Sequence, residues 1–436
     1  MGRNSLNIED LFSEYSGLVT YIAEADRLLA DPDIFVLASE MCDTSVFNYK
    51  NKVGSNGSGA GLTYQDAYYC TLGECAERYS LSVINPKNLI FGTYNELKHQ
   101  YNITKPAIWQ LFSKTQFANI PFPEFTEDTK IAWVNADNLL LKEQVLVPAC
   151  TIYLPYVPHF LNQQEKILYP SVSTGAACSS SCNEAILKGI YELIERDAFL
   201  ICWRKKLRIP EIVIDENSAI FNIFIDKFKR KHLEYRLFYT KLDMKAHSVF
   251  GILYVSDNQS TNKTLYCGGA CHHDPNVAVI KTLLELAQGL KWGEYTKAER
   301  FVPNVDFSNI ISFKDRMLLY ATGEYNQAFD FLQNNSKINL SDIKKELHAN
   351  TNDYLKDILL SLKLSDIDVF AIDVTPVDIE QCQLNVIKVL IPEFETMEGN
   401  YNWQFLGKNR YEELPKKLGF TLSQDNDYNP YPHPYP

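Results

Sequence analysis

The sequence predicts a mixed α/β fold with α+β character, and two observations carry that prediction. Short apolar runs typical of strands are interspersed with longer segments of helical periodicity along the whole chain. Of the 436 residues, 46% are hydrophobic and 22% are charged, which is ordinary for a globular protein with a substantial core. Because strands and helices alternate or cluster throughout, both are expected to share one architecture.

Residues 1–54 are predicted to form an N-terminal extension of one helix and one strand, and residues 55–436 to form the main domain. The stretch Ile8–Leu29 has helical periodicity, Asp31–Asp33 contains a proline that breaks it, and Ile34–Leu37 is strand-like.

Three later segments share one plan, in which small residues lead into a helix that carries two polar side chains three positions apart. In the first, Ser55–Gly61 predicts a loop, Thr63 an N-cap, and Tyr64–Leu81 a helix bearing Glu74 and Glu77. A glycine-rich loop entering a helix suits an anion, because free amides and the helix dipole point the same way. The same composition also suits a flexible turn.

The second segment runs from Ser171–Cys178 into a helix predicted over Asn183–Trp203, which carries Glu192, Glu195 and Arg196. Its apolar positions form a stripe that leaves these charged residues on other faces. The helix can therefore pack against a core and still offer carboxylates to a cleft.

The third segment runs from Cys267–Pro275 into a helix predicted over Asn276–Lys291, which carries Glu285 and Gln288. Further strands are predicted at Ile131–Val134, Gln144–Val147, Glu211–Ile214, Val249–Val255, Val369–Ile372 and Val386–Ile391, and residues 300–365 are expected to be mainly helical.

The three helical pairs indicate a site for a magnesium-bridged polyphosphate. Side chains three apart share a helix face, and an arginine follows the second glutamate in two of the copies. Magnesium takes oxygen ligands and shares them with substrate phosphates, while arginine grips phosphate oxygens. One such pair would more often be a solvated surface face. Three copies in similar contexts favour the functional interpretation.

Charge and composition narrow the partners and the compartment. The formal charge of −12 argues against a nucleic-acid partner, so phosphate must be held locally by a few cations and a metal. We find neither a secretory signal nor an apolar run of about 20 residues, which argues against a membrane location. With ten cysteines as free thiols, a cytoplasmic protein is expected.

Taken in this order, the three blocks resemble the YcaO family, over roughly residues 55–436. The resemblance implies a YcaO fold, with mixed sheets and helices packed around a central ATP and Mg²⁺ cleft, and a catalytic domain over residues 55–436. It also implies the metal ligands Glu74, Glu77, Glu192 and Glu195, and the nucleotide-binding residues Arg78, Ser173, Ser180, Glu184, Arg196, Lys281, Glu285 and Gln288. Ser179 stands where the family often has glycine, and Lys281 where arginine is common. Lysine keeps the positive charge but cannot make the bidentate contact of an arginine, so its contact with phosphate is expected to be weaker.

The proline-rich tail, residues 430–436, resembles that of azoline-forming cyclodehydratases of the family. In those enzymes the C-terminal carboxylate lies in the active site, so the resemblance implies Pro436, supported by Pro434 and Pro432, as the catalytic group. Proline fixes φ, so such a tail loses little entropy when it docks. A disordered tail is the alternative.

The implied activity is ATP-dependent conversion of Cys, Ser or Thr in a ribosomal precursor peptide to thiazoline or oxazoline, with ATP and Mg²⁺. Implied partners are the precursor peptide, a leader-binding E1-like or ThiF-like protein, and an FMN-dependent azoline dehydrogenase, in a homodimer or hetero-complex. Two alternatives stay open: ATP-dependent backbone thioamidation, and a non-catalytic scaffold with the same fold. A zinc site at Cys178, Cys182, Cys267 and Cys271 is a further alternative to buried thiols.

Overall fold

The computed structural model describes residues 7–46, 56–158, 164–256, 263–296, 301–346, 348–420 and 428–435. Within these ranges the strands are β1 Val19–Glu24, β2 Phe35–Met41, β3 Asn56–Gly61, β4 Ile90–Gly92, β5 Ile131–Asn138, β6 Glu143–Pro148, β7 Ala176–Ser179, β8 Glu211–Val213, β9 Leu233–Tyr239, β10 His247–Val255, β11 Thr264–His272, β12 Lys337–Asn339, β13 Phe370–Asp373 and β14 Asn385–Leu390. The predicted mixed class is confirmed.

The helices of the same ranges include the three long ones predicted from the sequence. They are α1 Tyr64–Ser82, α2 Tyr94–Leu97, α3 Cys182–Lys205, α4 Phe221–Ile223, α5 Pro275–Thr296, α6 Phe313–Ala321, α7 Thr351–Leu364, α8 Val377–Gln381 and α9 Arg410–Lys417, with a π-helical turn at Phe224–Phe228. Thr63 caps α1 as predicted, since its Oγ1 accepts from the Asp66 N–H at 3.1 Å. Residues 300–365 also contain β12, a strand that the sequence did not indicate.

Three sheets organise the described residues. The first has the order β1-β2-β3, and the second β11-β10-β9-β8-β12. The third has the order β4-β5-β13-β14-β7, with β6 paired to β5. Helix α3 lies at the centre, because it contacts β7 and β14 of the third sheet and β10 and β11 of the second. Among the described residues, no helix combines the length and the apolar character needed to cross a membrane.

The N-terminal helix predicted over Ile8–Leu29 is wrong. The structure has a short 3-10 helix at Ile8–Leu11 and then β1, which pairs antiparallel with β2. Cross-strand pairing overrides the local helical periodicity, and the Val-Thr-Tyr-Ile run that opens β1 is itself strand-favouring. The predicted domain boundary at 54/55 lies outside the described residues and stays a prediction, although β1 and β2 share a sheet with β3.

The glycine-rich stretch predicted as a loop is instead β3; its first residue, Ser55, lies outside the described residues. The glycines serve close packing: a Cβ on Gly59 would lie 2.6 Å from both the Ala67 carbonyl oxygen and the Thr71 nitrogen of α1. Helix α1 therefore lies directly against the backbone of β3, an approach that only glycine permits.

We predict that Gly59→Ala destabilises the protein by about 1–3 kcal/mol, because the added methyl forces α1 away from β3. Gly73→Ala, in the middle of α1, is the matched control: a Cβ there meets nothing within 4 Å. The control should be neutral or stabilising by about 0.5–1 kcal/mol, because alanine is the better helix former. Denaturant unfolding measures both variants. Equal effects of the two substitutions would show that contact with β3 does not matter.

Candidate nucleotide and metal site

Three units, each made of one strand and the helix that follows it, surround the candidate site. They are β3 with α1, β7 with α3, and β11 with α5. Each of these strands is the terminal strand of its own sheet. Each helix contacts its own strand and also the strand of the next unit, α1 with β7, α3 with β11, and α5 with β3. The three units therefore close into a ring.

In every unit the first acidic residue of the helical pair is fixed to the backbone of its own strand segment. A backbone N–H in the strand, or in the second unit just before it, donates to a glutamate Oε2 that lies 16 or 17 residues further along the chain. The distances are 2.7 Å for Ser58 to Glu74, 2.9 Å for Gly175 to Glu192, and 2.7 Å for Gly269 to Glu285. The same local geometry thus recurs three times.

The second residue of the pair reaches the next unit in two of the three cases. Glu77 Oε1 accepts from the Cys178 N–H on β7 at 2.7 Å. Gln288 Nε2 donates to Ser58 Oγ on β3 at 2.6 Å. These contacts join parts of the chain that are 101 and 230 residues apart. They bind the units of the ring to each other.

Glu195, the second residue of the middle unit, is different. Its side chain is buried, and Oε1 accepts no hydrogen bond from any described residue, although Arg196 Nε lies 3.4 Å away. Burial raises the pKa of Glu195, and the charges of Glu285 and Glu192 raise it further, against the effect of Arg196. A buried carboxylate oxygen without a donor is costly, and a cation relieves that cost.

Glu77 has a raised pKa for the same reasons. Burial raises its pKa to about 8, and the charges of Glu192 and Glu74 add to that rise, while the Cys178 N–H opposes it. Burial also raises the pKa of Glu285. Mutual repulsion of this kind requires that the carboxylates of all three helices lie close together. Glu77 and Glu195 thus both lie near enough to Glu192 for its charge to raise their pKa values.

The two arginines lie among these carboxylates. Arg78 donates to Glu74 Oε1 through Nη2 at 2.6 Å and through Nε at 3.0 Å. Arg196 Nη2 lies 3.8 Å from Glu192 Oε1. Both guanidinium groups are half-buried, so a phosphate entering the site would meet them in partly dry surroundings.

The donor set fits Mg²⁺ with a polyphosphate. Among the described residues, no three His, Cys, Asp or Glu side chains converge tightly enough to form a complete metal site by themselves. Magnesium is usually held by one or two carboxylates, with water and phosphate oxygens supplying the rest of its octahedron. Glu195, which has a buried oxygen without a hydrogen-bond donor, is the strongest candidate ligand, and Glu74, Glu77 and Glu192 are the other candidates.

Of the remaining predicted nucleotide contacts, Ser173, Ser180 and Lys281 are exposed and Glu184 is half-buried. Glu184 pairs with Lys188 at 3.2 Å; burial raises its pKa, but the Ser179 hydrogen bond and Lys188 outweigh burial and lower it. The Lys281 side chain is exposed, but the protein packed near its amine partly desolvates it and lowers its pKa. The charge of Lys188 lowers that pKa further. Ser173 and Ser180 are exposed on the segments that enter and leave β7.

The proline-rich tail enters the site. The Tyr435 side chain has no exposed surface; its ring centroid lies 4.3 Å from that of Phe199, and the Arg196 guanidinium lies 4.5 Å from it. A Cβ on Gly269 would lie 2.0 Å from the Tyr435 hydroxyl, so glycine there makes room for the ring. That hydroxyl lies near Glu195 and lowers the pKa of its carboxylate, although no close hydrogen bond forms between them.

Buried polar groups fix the rest of the tail. The Tyr320 hydroxyl donates to the Pro432 carbonyl at 2.5 Å, and Arg316, itself fully buried, donates to the His433 carbonyl at 3.4 Å. Pro432 and Pro434 are buried as well. The predicted catalytic group at Pro436 lies outside the described residues.

The zinc alternative finds no support. Cys178, Cys267 and Cys271 are buried and Cys182 is exposed, all as free thiols. Burial raises the pKa of Cys178 to about 12 and that of Cys267 and Cys271 as well, and among the described residues no three His, Cys, Asp or Glu side chains are placed to hold a metal ion together. These three thiols pack the interior.

Sequence reasoning missed two buried residues of the site. One is Tyr435, which was passed over in favour of the prolines around it. The other is Lys388, a fully buried lysine on β14 that holds the segment before β7. A single charge inside the apolar run Val386–Ile391 was the available signal.

The YcaO family model, described as YcaO cyclodehydratase, ATP- and Mg²⁺-binding, matches residues 58–395. An uncharacterised protein of Methanothermobacter thermautotrophicus is 31% identical over 166 residues, which are 37% of this chain and 41% of that protein. The chain thus spans less than half the length of this relative.

Solved structures share the fold. A heterocyclase in complex with substrate and cofactor has a TM-score of 0.77 at 22% identity, covering 98% of this chain and 56% of the other. YcaO from Methanopyrus kandleri, bound with AMPPCP and Mg²⁺, has a TM-score of 0.60 at 16% identity, covering 86% of each chain. The Escherichia coli microcin synthetase McbBCD complex with pro-MccB17 bound has a TM-score of 0.59 at 18% identity, covering 94% and 96%.

We predict that the metal-free protein loses stability as pH rises from about 5 to 8, and that Glu77→Gln reduces this loss. The pKa of Glu77 is about 8 in the folded state against 4.5 for an unperturbed glutamate, so between these limits the folded state binds the extra proton and stability falls with rising pH. Removing this proton-binding group should make the slope shallower by up to about 1.4 kcal/mol per pH unit.

Denaturant unfolding in chelator at several pH values measures the slope. Glu324→Gln, at an exposed glutamate, is the control and should keep the wild-type slope. An unchanged slope in Glu77→Gln would mean that Glu77 is already ionised at pH 5.

Proposed function

This chain belongs to the YcaO family of ATP- and Mg²⁺-binding cyclodehydratases, and on that premise we propose that it forms azolines in a ribosomal precursor peptide. The observation that carries the proposal is the burial of residues 432–435, which places the Tyr435 ring against Arg196. A backbone thioamidating enzyme or a scaffold gives no reason for a tail docked in this way.

In the proposed reaction, a Cys, Ser or Thr side chain of the peptide attacks the preceding backbone carbonyl. The former carbonyl oxygen, now the alkoxide oxygen of a tetrahedral hemiorthoamide, then attacks the γ-phosphorus of ATP and releases ADP. Elimination of phosphate breaks the carbon–oxygen bond and leaves the C=N bond of the azoline. An amide oxygen is a poor leaving group in water, and its phosphorylation makes the dehydration possible. The net change is one water lost from the peptide for each ATP hydrolysed.

The side chains of the ring have separate tasks in this scheme. We assign Glu74, Glu77, Glu192 and Glu195 to Mg²⁺, which when bound neutralises charge on the phosphates. Arg78 and Arg196 would bind phosphate oxygens, and Lys281 would do so as a point charge. Glu184, Glu285, Gln288, Ser173 and Ser180 complete the proposed nucleotide contacts. The proposed proton acceptor remains the carboxylate of Pro436, next to Tyr435.

Partners belong to the same proposal. The chain covers only 56% of the heterocyclase chain but 96% of its counterpart in the multi-chain microcin synthetase complex. A separate protein can therefore supply what the uncovered part of the heterocyclase chain supplies there. We propose that this partner is a leader-binding E1-like or ThiF-like protein. An FMN-dependent dehydrogenase acting on the azoline, and a cytoplasmic location with free thiols, complete the proposal.

The test incubates the protein with MgATP, a precursor peptide carrying its leader, and the leader-binding partner of the same organism. We expect ADP and phosphate in proportion to rings formed, and a peptide mass loss of about 18 Da per ring; a gain of about 16 Da would indicate thioamidation instead, and no change a scaffold. Glu195→Gln should lower turnover by roughly 100-fold or more, as loss of a preorganised charge does. Glu324→Gln should not.

A second prediction concerns the tail. Tyr435→Ala should abolish azoline formation, because it removes the aromatic side chain that fixes the tail between Phe199 and Arg196. It also leaves a cavity that costs about 3–5 kcal/mol, so the assay should be run well below the melting temperature. Tyr435→Phe is the control for packing: it keeps the aromatic ring, so the tail should stay docked, and it removes only the hydroxyl, which lowers the pKa of Glu195. Normal product yield from folded Tyr435→Ala would contradict a docked, functional tail.

A further inference from the structure

Lys388 is a charged residue in an apolar place. It lies in the middle of β14, has no exposed surface, and is flanked along the strand by the buried residues Ile387 and Val389. Burial lowers the pKa of its amine to about 7, while the charge of Glu192 acts in the opposite direction. A well-packed apolar side chain would often serve stability as well as a buried charge does. The lysine therefore requires another explanation.

The ammonium group holds one short segment. Lys388 Nζ donates to the carbonyl of Val172 at 2.8 Å and to that of Thr174 at 2.7 Å. The carbonyl of the next residue, Gly175, accepts from the Val389 N–H at 2.7 Å, and Gly175 has a φ of +89°. The segment is thus fixed to β14 by three hydrogen bonds just before it enters β7.

The same segment orients a carboxylate of the site. The Gly175 N–H donates to Glu192 Oε2 at 2.9 Å, and Ser173 is exposed within the segment. A Cβ on Gly175 would lie 2.3 Å from the Val389 carbonyl oxygen, so the backbone there has little freedom to shift. The direction of the Gly175 N–H, and with it that of Glu192, depends on how β14 holds Val172 and Thr174.

We propose that Lys388 is a positioning residue that aims Glu192 at the bound nucleotide and metal by clamping the Val172 and Thr174 carbonyls. The proposal rests on the proposed function in one respect only, that the carboxylate ring binds MgATP. Lys388 touches neither the nucleotide nor the reacting atoms in this scheme. It acts through Gly175 and Glu192.

The protein should tolerate loss of the charge. Lys388, Val172 and Thr174 all line a cavity of about 60 Å³, which has room for water to satisfy carbonyls that lose their donor. Lys408 lines the same cavity and provides the matched control. Its amine is directed to the Phe394 carbonyl and to Thr396 Oγ1, on the segment after β14.

The first experiment measures binding of the non-hydrolysable analogue MgAMPPCP by calorimetry, over a range of Mg²⁺ concentrations. Lys388→Met should weaken binding at least tenfold and require more Mg²⁺, with a melting temperature close to that of wild type. Lys388→Arg, whose extra atoms the cavity can accept, should restore most of the affinity. Lys408→Met should bind as wild type does. Wild-type affinity in Lys388→Met, or equal losses in both methionine variants, would overturn the proposal.

The second experiment needs no nucleotide. Amide hydrogen exchange of residues 172–176 in the ligand-free protein should be faster in Lys388→Met than in wild type, and unchanged in Lys408→Met. Unchanged exchange in Lys388→Met would overturn the proposal for Lys388, whether or not the wild-type protein binds MgAMPPCP. Failure of the wild-type protein to bind MgAMPPCP would instead refute the proposed function. If Lys388→Met does not fold, Lys388→Gln, which keeps one donor, should show both effects to a smaller degree.

Discussion

Confined negative charge is the constraint on which the rest of this structure depends. Carboxylates from three helices lie near each other with little water, and burial together with their mutual repulsion raises the pKa values of Glu77, Glu195 and Glu285. The arrangement persists only because positive charge and N–H donors compensate it locally. Arg78 and Arg196, each in sequence next to a glutamate of its pair, supply the first kind of compensation, and the strands supply the second.

The terminal strands of the three sheets are suited to that second task. A terminal strand carries backbone N–H groups that no neighbouring strand uses, and proteins normally cover such an edge. Here α1, α3 and α5 cover the edges of β3, β7 and β11, and glutamate oxygens accept the free N–H groups of Ser58, Cys178 and Gly269. One device therefore protects the sheet edges and fixes the carboxylates.

Much of this could be predicted from the sequence, and the failures have physical causes. Helices α1, α3 and α5 were predictable because helical periodicity and capping are local. Strand β3 was not, because its glycines indicate a loop unless the helix that packs on them is known. The gathering of Glu77 with Cys178, and of Gln288 with Ser58, depends on contacts across 101 and 230 residues. The recurrence of the polar pair in three segments and the resemblance to a family pointed to one shared site, but neither indicated these particular contacts. Nothing pointed to Lys388 beyond its unusual place in an apolar run.

The closed ring has a consequence for how the protein matures. Each unit completes its polar contacts with a neighbour that is distant in the chain. A nascent polypeptide that lacks β11 and α5 therefore also lacks Glu285, Gln288 and their contacts. The complete pocket then forms only when the third unit docks. Nucleotide captured at that moment would shift the folding equilibrium of every sheet at once, because the ligand binds the folded state alone. A bound nucleotide would thereby stabilise complete molecules and give no stabilisation to incomplete ones.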